Sequence, residues 1–151
     1  MTYLANCNGD CKTFKGDTGN VWVKIDQMAY DRSRDPAWAS MLLMKQNATW
    51  TITVPPTLAP GDYVLRHEIL GLQAASTRMG AQFYPSCAHL KVSGSGTNQL
   101  PAGVALPGAY DPDDVKGIHL HYIVDIEMHG MEYVAPGGEV WSAAAPQANG
   151  M

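Results

Sequence analysis

Apolar and polar positions alternate along much of this chain, and strict alternation marks a strand with one face turned to a core. Val21, Val23 and Ile25 alternate with Trp22, Lys24 and Asp26. Residues 63–70 alternate again, and so does the run of Cys87, His89 and Lys91 against Ala88, Leu90 and Val92. Residues 50–54 are β-branched and closed by Pro55-Pro56, while residues 118–126 form a further long apolar run; both are predicted strands. Helical spacing is confined to residues 35–46. There Asp35 can cap, Pro36 suits a first turn, and Trp38, Met41, Leu42 and the stem of Lys45 follow on one side. Fifteen glycines and ten prolines punctuate the remainder. The pattern predicts an all-β, immunoglobulin-like or fibronectin-like β-sandwich with long loops and one short helix. It is predicted to occupy residues 1–141, with residues 93–114 draped over it as a surface loop and the small, polar tail 142–151 disordered.

Composition narrows the class. With 151 residues, 46% of them hydrophobic, the chain can bury one core. It has no window of about eighteen apolar residues to cross a membrane. The opening MTYLANCNGD has neither a basic start nor an apolar run, so it does not read as a signal peptide. A net charge of −4 without a basic cluster argues against nucleic acid, and an acidic balance with aromatics suits a neutral polymer. Asn47-Ala48-Thr49 is a glycosylation sequon just before a predicted strand, which fits an extracellular surface.

Cysteine usage adds a constraint. Cys7 and Cys11 flank Asn8-Gly9-Asp10, a turn-forming sequence that folds the chain back and brings the sulfurs together, so a disulfide is predicted there. A metal site on that pair would need two further thiolates or imidazoles at suitable spacing, and none is near. Cys87 is left over, and an odd cysteine in a secreted-type domain points to a partner elsewhere.

Candidate chemistry gathers around residues 63–87. If Gln82 and Tyr84 are extended, period two sets an amide and a phenol on one face, with Pro85 fixing the backbone beside them. A satisfied Gln–Tyr hydrogen bond on a sheet face is the plain alternative. Alternation puts Arg66 and Glu68 on one face, where the plain reading is a cross-strand ion pair for each, and His67 on the other as a packed histidine. His119 and His121 share one face of the predicted last strand with His129 not far beyond, a conceivable three-imidazole site, although no motif sets a carboxylate with them.

The string GAQFYPSC at residues 80–87, following YVLRHE at residues 63–68, resembles the fungal lytic polysaccharide monooxygenases of auxiliary activity family nine. Further matches keep the family's order: CNGDC, WAS at residues 38–40 with Leu43 three residues on, TWTITVP, APGDYVLRHE, LKVSGSG, PGAY and YVAPGGEVW. The resemblance implies a secreted enzyme that uses one copper ion, an external electron donor, and oxygen or peroxide to cleave cellulose or a related β-glucan. It implies Tyr84 as a distant axial ligand, Gln82 as the group that positions the oxygen species, and Gln73 where the family usually carries a histidine nine residues before the glutamine. Gln73 can donate a hydrogen bond but cannot shuttle protons near neutral pH. Tyr133 would stack on a sugar ring at the flat polysaccharide-binding face, with Glu68 and Arg66 bordering the copper surface. In the family both copper-brace histidines lie upstream of CNGDC, and the cysteine matching Cys87 pairs with one in the N-terminal third. The chain is therefore expected to correspond to the C-terminal two-thirds of a member, to hold copper weakly, and to present uncovered strand edges. A non-catalytic carbohydrate-binding or structural β-sandwich is the alternative reading; a hydrolase built on paired acids has no motif to support it.

Overall fold

A computed structural model of the chain describes residues 1–121 and 123–145. Its central strand is β1 (Thr2–Asn6), and the reason lies in its composition. Thr2, Tyr3, Leu4 and Ala5 are all buried, as an inner strand covered on both faces requires. β1 sits between β2 (Val23–Asp26) and β3 (Gly61–Gly71), and β4 (Gln82–Val92) pairs with β3, giving a four-stranded antiparallel sheet in the order β2-β1-β3-β4.

Alternation along β1 divides the core. Tyr3 and Ala5 face one side with Trp22, Val64, Leu106 and the Cys7–Cys11 disulfide, while Leu4 faces the other with Ile25, Leu58 and Tyr63. A third cluster of Ala75, Leu120 and Ile126 lies under the loop after β3.

The first of these layers holds a buried charge. Glu68 is 1% exposed; its carboxylate accepts hydrogen bonds from Arg66 Nη2 and from the Tyr110 hydroxyl. Tyr110 Oη lies 3.2 Å from Tyr3 Oη, which also donates to the Gly137 carbonyl at 3.3 Å. Burial first, and then the neighbouring Tyr3 and Glu68, hold the Tyr110 phenol protonated far above its ordinary range. A side chain at position 137 is excluded, since a Cβ there would lie 2.1 Å from Tyr3 Oη. Arg66 also stacks 5.8 Å from the Trp22 ring.

Three predicted elements differ from the fold. The helix begins later, as α1 (Ala39–Lys45). Asp31 N donates to Ala37 O and Ala39 N to Ala29 O, so Tyr30 bridges Trp38 across a turn at residues 32–36, and the extended Trp38 rather than Asp35 holds the N-cap position. Residues 50–54 form no ladder: the Trp50 indole bonds to Asp26 at 2.9 Å while Ile52 and Val54 pack on the second core layer as a strap. Residues 118–126 are not a strand. Ile118 N and His119 N both bond to Asp114 O, and α2 (Ile123–His129) follows, burying Ile126. Leu120, Ile123 and Ile126 recur every three residues, a spacing that serves a helix as well. In the predicted tail, Ala144 N bonds back to Trp141 O and packs on the core, whereas residues 146–151 lie outside the described residues. The loop 93–114 is irregular as expected, tied down by Leu58–Asn98 and Trp22–Val104 bridges.

Removing one member of the buried pair strands the other. Glu68→Ala should lower unfolding stability by about 3 kcal/mol. Replacing both partners, Arg66→Met with Glu68→Leu, should recover most of the loss. Urea midpoints of the three proteins check this, and equal midpoints for the single and double variants would remove the pair from its structural role.

Candidate functional site

β3 and β4 form a long hairpin in which Gly71 opposes Gln82 and Ile69 opposes Tyr84. The loop between them turns tightly on bonds from Ala75 N to Leu72 O, Thr77 N to Ala74 O and Gly80 N to Thr77 O. Gly80 is required there, because a Cβ would sit 1.9 Å from the Ala74 carbonyl oxygen. The loop lays Gln73 back across Gly71, where its Nε2 donates to Gln82 Oε1 at 3.0 Å. Tyr84 Oη donates to the same oxygen. The three residues that the sequence points to are thus one exposed hydrogen-bonded cluster at the loop end of the hairpin, with Tyr84 52% exposed.

Gly71 had no part in the sequence reading, yet it makes the cluster possible. A Cβ there would meet Gln73 Oε1 at 2.7 Å and the Tyr84 ring at 3.2 Å. With both donors on Gln82 Oε1, its amide plane is fixed. Its Nε2 protons and the lone pairs of Tyr84 are not spent in these bonds.

Other expected site residues lie elsewhere. Glu68 is inside the core and Arg66 is turned onto it, so neither is presented to a polymer from the surface. Their pairing runs along one strand rather than across two. Tyr133 is also packed rather than displayed: its ring meets Trp38 edge-on at 5.5 Å, its hydroxyl donates to Gly117 O at 3.1 Å, and burial raises its pKa above the usual phenol value. With Trp38, Trp50, His67 and Ile69 it lines a cleft between β3 and α1. His67 packs as expected, its Nδ1 3.0 Å from Thr2 Oγ1 and its pKa lowered chiefly by burial. Trp141 packs on the second core layer, and its N–H bonds to Lys24 O at 2.8 Å.

The three-imidazole site does not form. His119 and His121 have ring centres 5.3 Å apart, but His129 Nδ1 pairs with Asp125 at 2.8 Å on α2. Among the described residues no three His, Cys, Asp or Glu side chains are placed to hold a metal ion. Cys7 and Cys11 are bonded to each other, and Cys87 is a free, exposed thiol.

The profile of Auxiliary Activity family 9 (formerly GH61) matches residues 1–133. AA9 family lytic polysaccharide monooxygenase A of Geotrichum candidum is 43% identical over 145 residues, spanning 96% of this chain and 47% of that protein. Its namesake from Talaromyces verruculosus is 44% identical over 150 residues, or 98% and 44% of the two chains. Among solved structures, the family 61 member Cel61B of Hypocrea jecorina superposes with a TM-score of 0.80 at 37% identity, covering 93% of this chain and 58% of its own. The chain therefore belongs to Auxiliary Activity family 9 and has its β-sandwich fold. It spans from 26% to 56% of the length of the curated relatives it matches. A match over residues 1–133 does not bear out the restriction to a C-terminal two-thirds.

The family's copper ion finds only part of a site in this cluster. Tyr84 offers one oxygen and the glutamines offer neutral amides, whereas Cu(II) favours tetragonal, nitrogen-rich coordination. The three residues do not make a copper site by themselves.

Gly71→Ala should displace the Gln73 amide from Gln82 at a stability cost of about 1 kcal/mol. The side-chain amide resonances of Gln73 and Gln82 and the Tyr84 ring signals should shift together, with β3–β4 amides unmoved. Unshifted glutamine amides would mean that the cluster does not depend on Gly71.

Proposed function

We propose that the chain, as a member of Auxiliary Activity family 9, contributes the oxygen-donor side of an extracellular copper monooxygenase that oxidatively cleaves cellulose or a related β-glucan. An external electron donor and oxygen or peroxide complete the reaction. The supporting observation is the Gln73–Gln82–Tyr84 cluster, three side chains in one hydrogen-bonded set on an exposed edge of a chain matched to this family over residues 1–133. Copper, when bound, supplies the activation of the oxygen cosubstrate; its nitrogen ligands come from outside this cluster.

Tyr84, its proton engaged by Gln82, would offer its phenol lone pairs to the copper when that ion is bound. Gln82, its carbonyl oxygen taken by two donors, turns its amide N–H groups toward an oxygen species. Gln73 holds Gln82 in that orientation and carries no titrating proton near neutral pH, so proton delivery falls to solvent or another group. Asn47, exposed after α1 with φ at 54°, is the acceptor for an N-glycan on a secreted protein.

Two measurements bear on this reading. In a copper titration followed by calorimetry and electron paramagnetic resonance, this chain alone should bind Cu(II) weakly and without nitrogen hyperfine structure. A tight one-to-one site with that structure would point instead to His119, His121 and His129. A protein that carries this chain, given copper, ascorbate and peroxide, should release oxidised oligosaccharides from swollen cellulose, as read by mass spectrometry. Gln82→Ala should slow that release about tenfold or more. Absence of oxidised products from every β-glucan tried would end the proposal.

A further inference from the structure

The ladder gives Gln82 and Tyr84 little packing on their own face of the sheet. Gln82 opposes Gly71, which has no side chain, and Tyr84 opposes Ile69, itself 37% exposed. Support for this end of β4 comes from behind. Phe83 lies between them in sequence, so period two turns it to the opposite face, the one that carries Glu68 and Leu70. There its ring stacks on the ring of Tyr110, with centroids 4.3 Å apart and planes 14° from parallel.

Tyr110 is itself fixed at the far end of its ring. Its hydroxyl donates to the Glu68 carboxylate and lies 3.2 Å from Tyr3 Oη, so the surface under Phe83 is tied to a buried acid on β3 and a buried phenol on β1. Leu70, the partner of Phe83 across the ladder, stands two residues beyond Glu68 on β3. The contacts therefore close on themselves: Glu68 to Tyr110, Tyr110 to Phe83, Phe83 across to Leu70, and back along β3 to Glu68. Ladder hydrogen bonds lie in the plane of the sheet and resist bending out of it least. The stacked ring opposes that motion.

We propose that Tyr110 and Phe83 are positioning residues for the oxygen-donor cluster, fixing how far Gln82 and Tyr84 stand out from the sheet. Tyr110 acts through Phe83 rather than on the cluster itself. That Gln82 and Tyr84 serve a reaction rests on the function proposed above; that the brace holds them in place does not. Misplacing a positioned group by about 1 Å costs up to about 100-fold in rate, so the brace bears on turnover more than on folding.

The test compares Phe83→Leu, Phe83→Tyr, Tyr110→Leu and the double leucine variant of this chain by nuclear magnetic resonance. Phe83→Leu should shift the Gln82 side-chain amide and the Tyr84 ring signals and speed amide exchange at residues 82–84 by about tenfold or more, with residues 88–92 unmoved. Phe83→Tyr keeps the flat ring and should restore the wild-type signals. The double variant should shift no further than the larger single one, because both act through one contact. Should Tyr110→Leu fail to fold, the contrast between Leu and Tyr at position 83 decides alone. In a protein that carries this chain, supplied with copper, Phe83→Leu should lower kcat about tenfold with KM for a soluble β-glucan unchanged, and Phe83→Tyr should restore it. A wild type without turnover would end the proposed function and leave the brace to be decided by the resonances. Unmoved Gln82 and Tyr84 signals in Phe83→Leu, a shift spread evenly along β3 and β4, additive shifts in the double variant, or a fall in kcat that Phe83→Tyr does not reverse would each overturn the proposal.

Discussion

A buried carboxylate organises this sheet. Glu68 has its side chain shut in the core and its backbone bonded to Met1, so one residue joins the end of the central strand to the middle of the hairpin. An isolated buried charge would cost far more than a domain's net stability, and Arg66 and Tyr110 make it tolerable. Through Tyr110 the constraint passes to Tyr3 and then to Gly137, drawing residues 107–110 and 136–138 onto the same face. The loops that cover this side are thus positioned by hydrogen-bond satisfaction as well as by apolar contact.

That anchoring gives the exposed cluster its precision. β3 extends beyond the end of β1, and β4 follows it in unbroken register from Gly61–Val92 to Gly71–Gln82. Gln82 and Tyr84 therefore sit on a strand pair whose root is fixed at Glu68. Only Gln73 is carried by a loop, and that loop is closed by its own turns and by the steric demands of Gly71 and Gly80.

Legibility in the sequence followed period and proximity. β3 and β4 alternate plainly, and the disulfide spans a short turn, so these could be read directly. The cluster became legible through the GAQFYPSC motif together with period two. β1 was missed because a strand buried on both faces has no alternation to detect. The α2 region misled because a run dense in apolar residues satisfies both periods. Glu68 and Tyr110 are 42 residues apart, and nothing local to either announces the contact. Tyr133 was expected on a surface because its motif carried that role; the packing of Trp38 against it depends on the bridge between Tyr30 and Trp38 across a turn, which no local signal reveals.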